Sequence, residues 1–84
     1  MRYVFSEKAW EDYLFWQKTN KRIPNRVNKL LKEISREPFK GTGKPEPLKH
    51  ALAGYWSRRI TEADRIVYKV EGNSLYIAQL RYHY

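Results

Sequence analysis

The stretch YWSRRITEADRIVYKVEGNSLYIAQL at residues 55–80 decides the fold of this chain. It contains three short runs that are rich in aromatic and β-branched residues. They are separated by the polar turn Glu62-Ala63-Asp64 and by Gly72-Asn73, a dipeptide typical of tight hairpins. Because short connections of this kind join antiparallel neighbours, the pattern predicts three hairpin-linked strands, at 55–61, 66–70 and 75–80.

The start of the chain predicts one further strand and a helix. Arg2–Phe5 is aromatic and β-branched, which favours a strand. Ser6 can accept a hydrogen bond from a free amide of a first helical turn, so we expect it to cap a helix that begins directly after it. One face of that helix is formed, at helical spacing, by Trp10, Tyr13, Leu14 and Gln17.

A second helix has the clearer pattern. Asn20 is its predicted cap, Pro24 is tolerated in its first turn, and Pro38 ends it. One side is apolar with the helical period, at Ile23, Val27, Leu30, Leu31 and Ile34. The other side is basic, with Lys21, Arg22, Arg26, Lys29, Lys32 and Arg36.

Residues 39–52 break both periodic patterns, and the recurring Gly and Pro residues predict an ordered or extended loop. The resulting order is β-α-α-β-β-β. It predicts a single α+β domain over residues 1–84, with a small antiparallel sheet and the two N-terminal helices packed on one of its faces. The other face of the sheet is then open, so a large ligand can lie there.

Charge and composition restrict the function. Seventeen Lys and Arg residues against nine Asp and Glu residues give a net charge of 17 − 9 = +8. This charge predicts nucleic acid or an acidic protein as partner, with solubility alone as the plainer alternative. Aromatic residues, 15% of the chain, suit stacking on unpaired bases as well as core packing.

Several classes of protein and of functional site are excluded by residues and segments that the sequence lacks. The absence of cysteine excludes a disulfide scaffold, a thiolate metal site and a cysteine nucleophile. The N-terminal residues do not have the pattern of a signal peptide, and no apolar run approaches membrane-spanning length. We therefore expect a soluble, cytoplasmic protein that does not bind membranes.

The residues available for chemistry predict a site without metal or cofactor. There is no glycine-rich phosphate loop, and neither histidine has an acidic residue at metal-ligand spacing. An enzyme built from these residues relies on acid–base and electrostatic catalysis. Glu46, between two prolines, is a candidate general base, although an exposed loop carboxylate is the simpler interpretation. His83 is a candidate general acid because imidazole titrates near neutral pH, although a histidine so near the end of a sequence is usually solvated and idle.

Three arginines complete the candidate set. Arg58 and Arg59 are consecutive in a predicted strand, so one meets the helix side or an edge of the sheet and the other can face the open side. Arg65 follows a three-residue turn, so its guanidinium can lie near that of Arg58 or Arg59. Guanidinium groups beside a carboxylate and an imidazole suit the extra-negative, pentacoordinate state of a phosphodiester. The set is similar to that of metal-free ribonucleases, which use the 2′-hydroxyl of the RNA as nucleophile.

Four segments carry a resemblance to a known family: GKPEPLKH at 43–50, WSRRI at 56–60, RIVY at 65–68 and RYHY at 81–84. With the opening strand and the Trp/Tyr-rich first helix, the match extends over nearly the whole chain. These segments resemble the YoeB toxins of the RelE/ParE superfamily. The resemblance implies a RelE-like α+β fold and a type II toxin–antitoxin system. It also implies an mRNA endoribonuclease that acts in the ribosomal A site and is neutralised by a YefM-type antitoxin.

The resemblance implies roles for six residues as well. Glu46 is the implied general base, His83 the general acid, and Arg65 the group that stabilises transition-state charge. The phosphate or the nucleotide at the cut is held by Lys49, Arg59 and Tyr84. The implied partners are mRNA and the 70S ribosome, whose 30S subunit and ribosomal RNA form the A site. The resemblance leaves open whether the protein forms a homodimer, and it implies no cofactor or metal.

Two other functions also stay open. A relative in the gyrase-poisoning branch of the superfamily shares the fold but acts on a protein–DNA complex, and it needs no acid–base set. A basic RNA- or DNA-binding module needs no catalytic residues at all. Cut mRNA, blocked replication or neither would distinguish the three functions.

Overall fold

The computed structural model describes residues 1–82, so His83 and Tyr84 lie outside the described residues. The predicted strands at 55–61, 66–70 and 75–80 are confirmed, with small shifts at their ends. A short 3₁₀ turn covers His50–Leu52. The elements are β1 (Arg2–Phe5), α1 (Glu7–Thr19), α2 (Arg22–Arg36), β2 (Glu46–Pro47), β3 (Trp56–Arg59), β4 (Arg65–Glu71) and β5 (Ser74–Gln79).

These strands form one sheet in the order β1-β5-β4-β3-β2. Strands β3, β4 and β5 pair as the predicted antiparallel hairpins, and β2, inside the predicted loop, adds to β3. At the other edge β1 lies parallel to β5, with Arg2 opposite Ser74 and Phe5 opposite Ile77. The α+β class is therefore confirmed, but the sheet is mixed rather than antiparallel throughout. Because β1 and β5 are far apart in the chain, no hairpin sets their relative direction.

Capping side chains explain where the helices begin. Ser6 Oγ accepts a hydrogen bond from the Ala9 N–H at 3.0 Å and donates one to the Ala78 carbonyl at 2.7 Å. It therefore caps α1, as predicted, and also fastens the helix to the end of β5. Lys21, and not the predicted Asn20, occupies the cap position of α2, and its side chain makes no cap bond. Asn20 lies one residue earlier, where its Oδ1 accepts from the Arg22 N–H at 3.1 Å.

Both helices pack on the same face of the sheet, as predicted, and the apolar stripe of α2 is buried there. The buried apolar core consists of Ala9, Ile23, Val27, Leu30, Leu31, Ile34, Ile60, Ile66, Tyr68, Leu75, Ile77 and Leu80. Aromatic rings at its margin are those of Phe5, Tyr13, Trp16 and Trp56. Core packing therefore accounts for these rings, whereas Trp10 and Tyr82 stay exposed.

Arg58 is the arginine that points toward the helices, and it is 0% exposed. Its guanidinium donates to Glu33 Oε1 at 2.8 Å, to the Tyr68 hydroxyl at 3.2 Å, and to the carbonyls of residues 37, 40 and 42. These bonds fasten the end of α2 and the following connection to β3. Gly41 lets the connection close at this point, because its φ is +122° and a β-carbon there would collide with the Glu33 carboxylate. By strand alternation Arg59 faces the open side, as predicted.

Glu33 is held in its ionised form by the same contacts. The Thr42 backbone N–H donates to Glu33 Oε1 at 2.6 Å. This bond, supported by the Arg58 guanidinium and opposed by desolvation, lowers the pKa of the Glu33 carboxyl below its ordinary value of 4.5. The connection between α2 and β2 is therefore fastened by charge-assisted hydrogen bonds rather than by apolar packing alone.

Candidate active site

Glu46, Ser57 and Arg65 come together on the open face of the sheet. Glu46 lies opposite Ser57 in the antiparallel pair of β2 and β3, and Arg65 begins the next strand, β4. The Arg65 guanidinium donates to Ser57 Oγ at 2.8 Å and forms an ion pair with Glu46 Oε1 at 3.1 Å. The structure therefore brings together two of the predicted catalytic residues, the carboxylate and one guanidinium.

The three side chains differ in their access to solvent. Exposure is 11% for the Arg65 side chain and 49% for that of Glu46, whereas Ser57 is fully buried. Leaving the buried Ser57 hydroxyl without its bond would cost about 1–3 kcal/mol, so this contact restricts where the guanidinium lies. Glu46 is accessible but does not stand in a loop, because its backbone is paired with β3. The local interpretation as an exposed loop carboxylate is therefore wrong about the loop.

Two further predicted site residues flank this centre. Arg59 lies opposite Arg65 in register, hence on the same face, and it is partly exposed. Lys49 is exposed and lines, together with Glu46, a cavity of about 490 Å³. That volume is in the range of small-ligand sites. Cationic side chains therefore flank the Glu46 carboxylate. The roles of Lys49 and Arg59 in binding the phosphate or the nucleotide stay predictions.

The C-terminal stretch approaches the same centre after β5. The Tyr82 N–H donates to Asp64 Oδ1 at 2.7 Å, and the Arg65 N–H donates to the Tyr82 carbonyl at 3.1 Å. Tyr82 is therefore fixed at the start of β4, next to Arg65. His83 and Tyr84, the predicted general acid and nucleotide contact, lie outside the described residues. Their roles stay predictions.

Sequence reasoning missed two residues of this region, Ser57 and Asp64. Ser57 stands in a strand between an aromatic residue and an arginine, and its one signal is the alternation that places it on the same face as Arg59. Asp64 is predicted only as a turn residue, and its bonds with Thr61 are the turn contacts such a residue makes. No local pattern indicates that Asp64 also reaches the backbone of Tyr82.

The arrangement is suited to an anionic substrate. A carboxylate that can take a proton stands 3.1 Å from a guanidinium that favours negative oxygen atoms, and further cations flank both. Among residues 1–82 no three His, Cys, Asp or Glu side chains are grouped as metal ligands are. No helix in that part of the chain is long and apolar enough to cross a membrane.

The sequence and the fold of this chain are similar to those of known proteins. Residues 5–84 match the model of a family described as "YoeB-like toxin of bacterial type II toxin-antitoxin system". Toxin YoeB of Escherichia coli strain K12 is 58% identical over 84 residues, which cover 100% of both chains. The YoeB dimer from Staphylococcus aureus has a TM-score of 0.94 at 45% identity, and the YoeB–YefM complex from the same species has 0.92 at 46% identity. Each of these comparisons covers 100% of this chain and 98% of the other.

Proposed function

This chain belongs to the family of YoeB-like toxins of bacterial type II toxin–antitoxin systems, and on that premise we propose that it is a ribosome-dependent endoribonuclease that cuts mRNA in the A site. The observation that carries the proposal is the Arg65 guanidinium, which contacts both Glu46 and Ser57 on the open face of a basic domain. A proton acceptor beside a fixed cation is what the cleavage of a phosphodiester requires.

The proposed reaction uses the RNA itself as nucleophile and needs no metal or cofactor. Glu46 removes the proton from the 2′-hydroxyl, and the 2′-oxygen forms a bond to the adjacent phosphorus. The bond from phosphorus to the 5′-oxygen breaks, and His83 supplies the proton that this leaving oxygen takes up. The products carry a 2′,3′-cyclic phosphate and a 5′-hydroxyl, and no water enters this step.

The ion pair between Glu46 and Arg65 supports this division of roles. When Glu46 takes up a proton it loses its negative charge, while the phosphorane gains negative charge. The attraction of the Arg65 guanidinium is therefore redirected from the carboxylate to the reacting phosphate as the transition state forms. Ser57 keeps the guanidinium in place through this exchange, because its hydroxyl stays available as an acceptor. Lys49, Arg59 and Tyr84 hold the phosphate and the nucleotide at the cut.

Dependence on the ribosome follows from the openness of the site. A half-exposed carboxylate on an open sheet face does not position a flexible RNA strand unaided, whereas mRNA in the A site is already threaded and held. The exposed basic side of α2 then supplies contacts to ribosomal RNA phosphates. Its exposed residues include Arg22, Lys29 and Lys32, with Lys21 just before the helix.

The proposed protein partner is a YefM-type antitoxin, in the cytoplasm. The similar S. aureus chain is in a complex named YoeB–YefM, and another S. aureus structure is named a YoeB dimer. A net charge of +8 favours an acidic or amphipathic antitoxin segment that covers residues 81–84. By the same comparison we include a homodimer among the proposed states.

The experiment that tests the function maps mRNA 5′ ends on purified ribosomes with and without the protein, and in parallel on the same RNA free in solution. We expect new 5′ ends within the A-site codon on ribosomes and little cutting of free RNA. Equal cutting of both RNAs would refute ribosome dependence. Absence of cutting, with or without blocked DNA replication, would favour the two non-catalytic alternatives.

A further inference from the structure

The residues just before the proposed catalytic histidine are held by side chains from two distant parts of the chain. On the α1 side, Asp12 Oδ2 accepts from the Leu80 N–H at 3.0 Å and Trp16 Nε1 donates to the Leu80 carbonyl at 2.8 Å. On the turn side, Asp64 Oδ1 accepts from the Tyr82 N–H at 2.7 Å. Both backbone polar groups of Tyr82 are bonded, since its carbonyl accepts from the Arg65 N–H.

The backbone of Tyr82 is in a conformation that needs such support. Its φ is +67°, in the left-handed region that residues with a β-carbon rarely occupy. The side chain does not enforce this conformation by burial, because it is 55% exposed, with the cationic groups of Lys8 and Arg81 over its ring. The hydrogen bond to Asp64 holds this conformation at the Tyr82 N–H, and the Gln79 side-chain amide donates to the Arg81 carbonyl at 3.2 Å on the same side of the residue. Strained backbone of this kind is concentrated at functional sites.

We propose that Asp64 is a positioning residue: its carboxylate fixes the Tyr82 backbone next to Arg65, and with it the point from which the chain continues into residues 83–84. The inference rests on the proposed function, since it assigns to Asp64 the placement of the segment that carries His83 and Tyr84. A proton donor must be aligned with the leaving oxygen, and a misplacement by about 1 Å can reduce a rate by about 100-fold.

A purely structural role in the turn does not account for both oxygens of Asp64. The turn contact is made by Oδ2, which accepts from the Thr61 hydroxyl at 3.0 Å, whereas Oδ1 reaches Tyr82, a residue outside the turn. The turn contact can therefore be removed while the contact with Tyr82 is kept. Asp64→Ala removes both, and Asp64→Asn keeps an acceptor at the same place. Thr61→Val removes the bonds that the Thr61 hydroxyl makes in the turn, while the bond to Tyr82 and the backbone bonds of the turn remain.

The first readout is single-turnover cleavage of ribosome-held mRNA by the full chain, with the melting temperature as control. We expect Asp64→Ala to lower the maximal rate by about 10- to 100-fold, with the concentration for half-maximal rate unchanged within about twofold. Asp64→Asn should recover most of the rate, and Thr61→Val should cleave like the wild type. Wild-type rates in Asp64→Ala, or an equal loss in Thr61→Val, would overturn the proposal.

The second readout does not depend on cleavage. Amide hydrogen exchange of Tyr82 should be slow in the wild type and in Thr61→Val, and fast in Asp64→Ala. Tyr82 exchange that is equally fast in all three proteins would overturn the positioning role. Wild-type protein that shows the expected exchange but cuts no ribosome-held mRNA would refute the proposed nuclease function while leaving the placement of Tyr82 by Asp64 established.

Discussion

Replacing each of two neighbouring arginines by methionine should separate stability from activity. Arg58 and Arg59 are adjacent in β3 and have the same charge, but Arg58 is 0% exposed and bonded to Glu33, Tyr68 and three carbonyls. Arg59 is partly exposed on the open face, opposite Arg65. Methionine keeps much of the apolar side chain in both cases, so the two variants differ mainly in what the guanidinium contacts.

The expected magnitudes follow from these contacts. Removing one partner of a buried ion pair costs about 3–5 kcal/mol, and we take about 3 because the Glu33 side chain is 36% exposed. For a domain of this size each kcal/mol shifts the melting temperature by about 4–8 °C, so Arg58→Met should lower it by about 12–24 °C. Arg59→Met makes a surface change worth at most about 0.5 kcal/mol, or about 4 °C.

Thermal unfolding followed by circular dichroism measures the first quantity, and cleavage of ribosome-held mRNA at a temperature where both variants are folded measures the second. Arg58→Met should be destabilised yet cleave at a rate close to that of the wild type when folded. Arg59→Met should be stable yet cleave more slowly, because the variant has one cation fewer to bind the phosphate. Equal shifts in melting temperature for the two variants would refute the assignment of Arg58 to the core and Arg59 to the site.

Four further outcomes are expected. Glu46→Gln should lower the single-turnover rate on ribosome-held mRNA by about 10²–10⁴-fold, as for the removal of a general base. Ser57→Ala should lower it by about tenfold, because only the orientation of the guanidinium is affected. A fully active, folded Glu46→Gln would contradict the base assignment. The pKa of Glu33 is lowered in the folded state, so its stabilising contribution is complete above the ordinary value of 4.5 and is lost as the pH falls through the folded-state pKa. Urea midpoints measured from about pH 7 to pH 3 should therefore fall less steeply in Glu33→Gln than in the wild type, and parallel curves would refute this. Replacing Lys29 and Lys32 by Gln should weaken ribosome binding and reduce the slope of log K against log salt by about 1 for each phosphate that the protein no longer binds. An unchanged slope would show that Lys29 and Lys32 do not bind phosphates of the ribosomal RNA.

The parts of the fold set by local chemistry could be predicted from the sequence. Gly72-Asn73 predicts the β4–β5 hairpin because few residues suit such a turn, and Ser6 predicts the start of α1 because few side chains cap a helix. The opposite directions of Arg58 and Arg59 follow from the period of a strand. Each of these features depends on residues that are close in the chain, and each is present in the structure.

The features that the sequence did not predict depend on residues far apart in the chain. The parallel pairing of β1 with β5 joins the two ends of the chain, and β2 is too short for a periodic signal. The candidate site was predicted as a set of residue types, and the contact between Arg65 and Glu46 supports part of it. The bonds that Ser57 and Asp64 make depend on tertiary placement, and a single side-chain hydroxyl or carboxylate in a sequence does not indicate which distant group it will meet.

The central claim is that the 2′-hydroxyl of the message is the nucleophile, activated by Glu46. The most direct test is a ribosome-held mRNA that carries one 2′-deoxynucleotide at the cleavage position, compared with the matched all-ribose message. We predict that the deoxy message binds nearly as well but is not cut, and that the ribose message yields a 2′,3′-cyclic phosphate and a 5′-hydroxyl. Cleavage of the deoxy message at the same bond would contradict the account, because the attacking group would then have to be an activated water.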